Sequence, residues 1–238
     1  MKANILKGPH WRVLSTMLGI GFMLITATGA NASLLWNNGA IGSNTMVCDY
    51  CNGTSFTIFD NFHLNSAMIV QSFDFTDYIV SGTTADYTNT AWSIYSGDPS
   101  AGGSVVASGT TVAALSLVNP GEYTFTISGL SQVLSAGTYY LGTSNKVSVS
   151  TDAFERASAA GNSGTPLPGW MQSPCSTLPG TCTTFNGATF SKFPLGNGFG
   201  GTDTAFDVNG VVVPEPSTWS LGLIAAAAGF YLRRRRTA

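Results

Sequence analysis

Charged side chains are scarce in this chain, at 9% of its 238 residues, and basic ones are rarest in its central part. Residues 49–215 hold all twelve acidic residues but only three basic ones, which gives this segment a net charge of −9. The three basic residues are Lys146, Arg156 and Lys192. Nucleic acid and anionic lipid both require clustered lysine and arginine, so we expect the central part to bind neither.

Histidine occurs only twice, and only His63 lies in the central part. Nucleophilic catalysis needs a base beside the nucleophile, and the sequence has no GxSxG, HExxH or GxxxxGK motif. A glycosidase needs two carboxylates set across a cleft. Asp74 and Asp77, three residues apart, fall on opposite faces of a regular strand, and nothing in the sequence brings Glu122 and Glu155 together. We therefore expect no catalytic residue and no cofactor.

Metal-ligand patterns are weak as well. Asp203 and Asp207, four residues apart, would share a face at the start of a strand and offer the oxygen ligands that calcium takes. The simpler alternative, which we favour, is that both carboxylates are solvated. The sequence thus predicts no bound metal.

The N-terminus has the three-part layout of a secretory signal peptide. Three basic residues precede an apolar run from Val13 to about Ala30, and Ala30-Asn31-Ala32 offers small residues to signal peptidase. An uncleaved membrane helix is the alternative, but the run is short for a stable span. We predict cleavage after Ala32, so that residues 1–32 form a signal helix and the mature chain begins at Ser33.

The C-terminus combines a motif, an apolar stretch and a basic tail. Pro214-Glu215-Pro216 cannot lie inside a helix and predicts a break after the folded part. Residues 217–232 are apolar and would span about 24 Å as a helix, against a hydrocarbon core of about 30 Å. The basic tail, residues 233–238, contains four arginines that should stop transfer and stay on the cytoplasmic side. They are Arg233, Arg234, Arg235 and Arg236.

These three parts, in this order, closely resemble the PEP-CTERM sorting signal of Gram-negative bacteria. The resemblance covers about the last 26 residues and implies transient insertion in the inner membrane and recognition of residues 214–216 by an exosortase, a membrane cysteine transpeptidase. Cleavage would then follow close to the motif. Proteins with this signal are often linked with exopolysaccharide and biofilm. A simple single-pass anchor would explain the helix and the arginines but not the Pro-Glu-Pro motif.

Export places the four cysteines, Cys48, Cys51, Cys175 and Cys182, in an oxidising compartment that favours disulfides. Four cysteines permit three pairings, and we prefer the local one, which joins the first two and the last two. The spacings do not match a zinc ribbon. A thioredoxin-like role for the first pair would need a βαβ context that the sequence lacks.

The body of the protein, residues 33–213, is dominated by period-two alternation, which predicts β-strands. Turn signals such as Asn119-Pro120-Gly121 separate these segments. The sequence predicts one all-β domain, an antiparallel β-sandwich or jelly roll. The body also resembles, more loosely and over about residues 54–213, the β-sandwich ectodomain often found ahead of PEP-CTERM tails. The predicted strands are 55–64, 69–78, 91–95, 105–109, 122–127, 138–143, 147–149 and 204–213.

Between about residues 154 and 202 the alternation gives way to Gly, Pro, Ser, Thr and Asn, which predicts a long irregular segment. Trp170 and Met171 are the apolar feature there. Packing against the sandwich edge is the favoured interpretation, and presentation of Trp170 to a ligand is the alternative.

Three function classes compete. The leading hypothesis is a non-catalytic surface or matrix protein, processed by signal peptidase and an exosortase and associated with extracellular polysaccharide. The second is a carbohydrate-binding module in which Trp36, Trp92 and Trp170 stack on sugar rings, although the alternation of Trp92 with Ile94 predicts burial. A secreted hydrolase is third, because the base and the paired acids are missing.

Overall fold

A computed structural model of the chain describes residues 32–148, 150–158, 170–172, 182–185, 188–192 and 204–213. The predicted signal helix, apart from Ala32, and the predicted sorting segment at 214–238 lie outside the described residues. The transmembrane helix predicted at 217–232 therefore also lies outside them. Within the described ranges, no helix has the length and apolar character needed to cross a bilayer.

The described residues form sixteen strands and two short 3₁₀ turns, so the prediction of an all-β body is confirmed. The strands, in chain order, are β1 Ser33–Asn37, β2 Ile41–Cys51, β3 Thr54–Ser55, β4 Thr57–Leu64, β5 Met68–Ile79, β6 Tyr87–Ser96, β7 Ser104–Thr111, β8 Ala114–Asn119, β9 Glu122–Ile127, β10 Gln132–Leu134, β11 Gly137–Val147, β12 Ala153–Ser158, β13 Trp170–Gln172, β14 Cys182–Phe185, β15 Ala188–Lys192 and β16 Phe206–Val212. The 3₁₀ turns are Thr84–Asp86 and Pro99–Ala101.

The strands pair in antiparallel fashion into two sheets. The first sheet has nine strands and the main order β1-β16-β5-β12-β2-β3; on the other side of β5 lie β10 and the β9-β8 pair. The second sheet has seven strands in the order β14-β15-β13-β4-β11-β6-β7. β1 and β16, the first and last strands in chain order, are therefore neighbours in the first sheet.

One apolar core lies between the sheets and takes side chains from both. Phe73 of the first sheet meets Trp92 of the second edge to face, with ring centroids 5.6 Å apart. Phe206 and Phe62 make a similar contact at 6.5 Å. Because each strand alternates inward and outward residues, the aromatic residues of opposing strands interdigitate. The packing is that of a β-sandwich.

Turn residues fall where the sequence predicts them. Gly121 follows Pro120 with a φ of 82°, in the left-handed region that favours glycine. A Cβ at this position would lie 2.7 Å from Cε2 of Tyr78. The turn between β8 and β9 therefore requires glycine for two reasons, its backbone conformation and the ring packed against it.

The predicted irregular segment at 154–202 is wrong in part. Its start belongs to β12, which lies between β5 and β2, and β13, β14 and β15 fall within it. The separate strand predicted at 147–149 is also wrong, because Val147 is the last residue of β11. The alternation missed β14 and β15 because short strands rich in Thr and Ser can pair at a sheet edge without a strong apolar alternation.

Candidate functional site

The predicted sorting motif begins directly after a part of the body whose backbone is held by hydrogen bonds. β16 ends at Val212, and the N–H of Val213 donates to the carbonyl of Ala67 at 3.0 Å. β16 is an interior strand, paired with β1 on one side and β5 on the other. The backbone is therefore held in place up to the residue before Pro214, although residues 214–216 themselves lie outside the description.

Three buried carboxyl groups form a cluster that the sequence analysis did not find. Asp49 on β2, Asp77 on β5 and Glu155 on β12 have exposed fractions of 0%, 0% and 2%. β12 lies between β5 and β2, with Glu155 opposite Asp77. From the second sheet, Asn145 on β11 donates its side-chain N–H to Asp77 and its backbone N–H to Asp49, the latter at 3.0 Å. Thr143 Oγ1 donates to Glu155 Oε2 at 2.5 Å.

Burial raises the pKa values of all three groups, because the charged form of a carboxyl loses its hydration. It raises the pKa of Glu155 to about 8 and that of Asp77 to about 6. The pKa of Asp49 is also raised well above its usual value, first by burial and then by the charge of Asp77. A side-chain hydrogen bond joins Asp49 to Asp77, and it raises the pKa of the former while lowering that of the latter. Asp49 therefore keeps its proton to a higher pH than an exposed aspartate does.

This cluster ties the two sheets together rather than forming an open acid pair. Its side chains are inaccessible to solvent, so a substrate cannot reach them. Thr90 of β6 extends the network by donating its hydroxyl proton to the side-chain carbonyl of Asn145. Buried polar groups linked in this way fix how the sheets register with one another.

The acidic pairs considered in the sequence are placed as follows. Asp74 faces away from Asp77 and accepts hydrogen bonds from Thr126 at 2.5 Å and Asn209 at 2.8 Å, as the strand geometry predicts. Glu122 forms an ion pair of 2.7 Å with Arg156. Glu122 is therefore not paired with Glu155, whose hydrogen-bond partner is a threonine.

The calcium alternative falls partly outside the description, since Asp203 is not described. Asp207 lies opposite Asp74 in the β16–β5 ladder and accepts a 2.7 Å hydrogen bond from Asn37. Both carboxylates line a cavity of about 330 Å³, and burial raises the pKa of Asp207. In the described part of the chain, no group of three or more His, Cys, Asp or Glu side chains is arranged to hold a metal ion.

Residues 212–236 match the PEP-CTERM protein-sorting motif. The resemblance of the C-terminal segment is thereby confirmed. The match starts at the last residue of β16 and covers about a tenth of the chain, so it assigns the segment and not the body. No curated protein matches the sequence. A PEP-CTERM segment implies export, sorting toward the cell surface and processing by an exosortase, which is a membrane protein.

The local disulfide expected near the start of the body is present. Cys48 and Cys51 are bonded, with their Cα atoms 6.1 Å apart at the end of β2. They pack against a small cluster formed by Val47, Phe56 and Ile58. For the second predicted pair, Cys175 lies outside the described residues and only the backbone of Cys182, in β14, is described.

Removing this disulfide should have a modest effect. Replacing Cys48 and Cys51 together by serine is expected to lower the free energy of unfolding by about 2 kcal/mol, the loop entropy for so short a closed loop. Urea unfolding of the double variant beside the parent measures this. Peptide mapping that linked Cys48 to Cys175 would contradict the local pairing.

The remaining candidate residues are His63 and three tryptophans. His63 is exposed on β4, where its Nδ1 lies 3.1 Å from the hydroxyl of the cross-strand Thr138. Trp36 and Trp92 are partly buried against the core rather than presented to solvent. Trp170 lies in β13, between β4 and β15, and its side chain is not described.

Of the buried groups, Glu155 had a signal in the sequence. In β12 the alternation places it on the same face as Ala153, which is fully buried. A glutamate on the apolar face of a strand predicts either a buried partner or an error in the strand assignment. Asp49 and Asp77 had no such signal, because their partner Asn145 is distant in the sequence.

Proposed function

We propose that this chain is a non-catalytic protein of the cell surface or extracellular matrix of a Gram-negative bacterium. Its signal peptide directs export and is removed by signal peptidase, the tail is held briefly in the inner membrane, and an exosortase sorts the protein. The observation that carries the proposal is the PEP-CTERM motif at 212–236, which follows the last strand of an all-β body without a linker. An enzyme such as an exosortase needs an accessible peptide bond, and the prolines keep this segment from joining a helix.

Two features support a role without catalysis. The most strongly perturbed carboxyl groups, Asp49, Asp77 and Glu155, are sealed between the sheets. The exposed His63 contacts a threonine rather than a carboxylate that would orient it as a base.

Association with extracellular polysaccharide is part of the proposal and rests on what the PEP-CTERM signal implies. The acidic, Ser- and Thr-rich body is consistent with a hydrated matrix. A dedicated carbohydrate-binding module is less well supported, since sugar stacking needs exposed aromatic faces and Trp36 and Trp92 are turned to the core.

The mass of the protein at its destination tests this proposal. Protein recovered from the cell surface or the medium is expected to start at Ser33 and to end at or close to Pro216, without residues 217–238. Cells that lack the exosortase should retain the tail on the protein. Intact mass spectrometry of both samples decides the matter, and released protein that still carries the four terminal arginines would refute exosortase sorting.

A further inference from the structure

One edge strand of each sheet lies in the same continuous stretch of chain. β7 is the edge of the second sheet and β8 the edge of the first, and only Val112 and Ala113 separate them. Within the described residues, β7 pairs only with β6, and β8 only with β9. We call residues 104–119 the edge ribbon. Its outer backbone N–H and C=O groups are available to another strand.

The edge ribbon lacks the charged residues and prolines that protect many edge strands. Natural edges are protected by charged side chains, especially lysine, by proline or by extreme shortness. Residues 99–121 contain no charged side chain, and β7 is eight residues long without a proline. The ribbon has one bulge in each strand, at Val106 and at Val118, and the β7 ladder is regular from Ala107 to Thr111.

Apolar side chains stand out along the same ribbon. Val112 is 73% exposed, Leu117 64% and Val105 53%, and Val106 and Val118 are also exposed. Single exposed apolar residues are ordinary, but a row of them beside an unpaired edge marks an interaction surface.

Charge indicates what kind of partner fits. Residues 49–215 hold twelve acidic residues against three basic ones, so two copies of this chain carry a net charge of the same sign and repel one another. A basic partner would be drawn to acidic surface, and the ribbon offers it none. The uncharged ribbon is the kind of surface through which like-charged copies can meet without charge repulsion.

We propose that the edge ribbon joins two copies of this chain by antiparallel pairing of β7 with β7, which extends the second sheet across a two-fold axis. The regular part of β7 is centred on Gly109, so Ser108 of one copy would lie opposite Thr110 of the other. The same surface patch serves both copies, as a closed two-fold interface requires. This inference goes beyond the proposed function, since it does not depend on sorting by an exosortase.

The contact is expected to be weak for a single pair of molecules. A standard stable interface uses about 20–30 residues on each side and buries about 800 Å² per partner. The ribbon spans residues 104–119 and falls short of that. Association should therefore depend on the high local concentration that a membrane or matrix provides.

Thiol cross-linking of the full chain in producing cells tests the pairing. Ser108 is exposed, and Ser108→Cys adds a thiol at the ribbon. In this register the two copies of position 108 are diagonal cross-strand neighbours, and such neighbours have Cβ atoms about 7–8 Å apart. A short bis-maleimide can bridge that distance and also tolerates a register shift. Val80→Cys is the matched control, since Val80 is 50% exposed in the turn after β5, outside the ribbon. We expect a dimer-sized band in non-reducing blots for Ser108→Cys and none for Val80→Cys.

A charge on the ribbon should weaken the pairing. Adding Thr110→Lys to Ser108→Cys is expected to lower the dimer yield several-fold, whereas adding Val80→Lys should leave it unchanged. Absence of an Ser108→Cys dimer above the Val80→Cys level would overturn the proposal. So would a cross-link to a protein of another size, which would identify a different occupant. The tail retained or lost on the monomer band reports sorting separately, so failure of one idea does not imply failure of the other.

Discussion

Replacing Glu215 with alanine is expected to abolish exosortase processing while leaving export intact. The signal peptide still directs the chain across the inner membrane, and the arginines at 233–236 still hold the tail, so uncut precursor should accumulate in the membrane fraction. The change removes the only charged side chain of the motif and leaves both prolines in place. Because β16 ends before the motif, the substitution should not alter the stability of the body.

Immunoblots of membrane and culture fractions measure this outcome. Neutral replacements at Arg233–Arg236 provide the contrasting variant. A short apolar segment without a stop signal should pass through the inner membrane, so that unsorted protein is released. If the Glu215→Ala protein is processed and released like the parent, the segment is an ordinary anchor.

Replacing Glu155 with glutamine is expected to stabilise the body in mild alkali and to change little in mild acid. Burial raises the pKa of Glu155 from 4.5 to about 8 and that of Asp77 from 3.8 to about 6. The folded state therefore keeps protons that the unfolded state releases. The stability that this proton binding provides is fully present below the unfolded pKa values and is lost as pH rises through the folded ones.

The slope should reach about 1.4 kcal/mol per pH unit for each carboxyl, between about pH 4.5 and 8 for Glu155 and between about pH 3.8 and 6 for Asp77. Glutamine keeps the shape of the protonated group and cannot ionise, so the variant should lose the part of this slope that belongs to Glu155. Denaturant unfolding at about pH 5 and about pH 9 measures the difference. Glu122→Gln is the matched control, since it removes the ion pair with Arg156 and should destabilise the protein rather than stabilise it. Equal pH profiles for the parent and Glu155→Gln would contradict a protonated Glu155.

Some elements of the fold follow from local sequence and others do not. The strand at Glu122–Ile127 is predicted to the residue, because three apolar side chains alternate with threonine and a proline-glycine turn precedes it. β1 and β2 were not predicted. In β2 the turn-forming Asn and Gly residues mask an eleven-residue strand whose pairing comes from β12, distant in the sequence. Such pairings are tertiary and override local preference.

The candidate functional residues also fall into a part that the sequence predicts and a part that it does not. The sorting motif is readable because its parts are contiguous and each has a local physical reason: prolines, an apolar run and arginines. The buried cluster was missed because Asp49, Asp77 and Glu155 meet only after three strands pair. The spacing of these three residues along the sequence does not indicate that they come together in the fold.

Because the first strand pairs with the last one, the body cannot finish folding until its last strand has been exported. Ser33 Oγ donates to the carbonyl of Gly210, 177 positions later in the chain. A chain that crosses the membrane from its N-terminus thus exposes β1 first and leaves it without a partner until β16 arrives. Until then Phe206 and Val208 are absent from the core, and the edge of β5 with which β16 pairs stays open to proteases and chaperones. Folding of the body consequently cannot be completed until β16, the strand next to the sorting motif, has crossed the membrane.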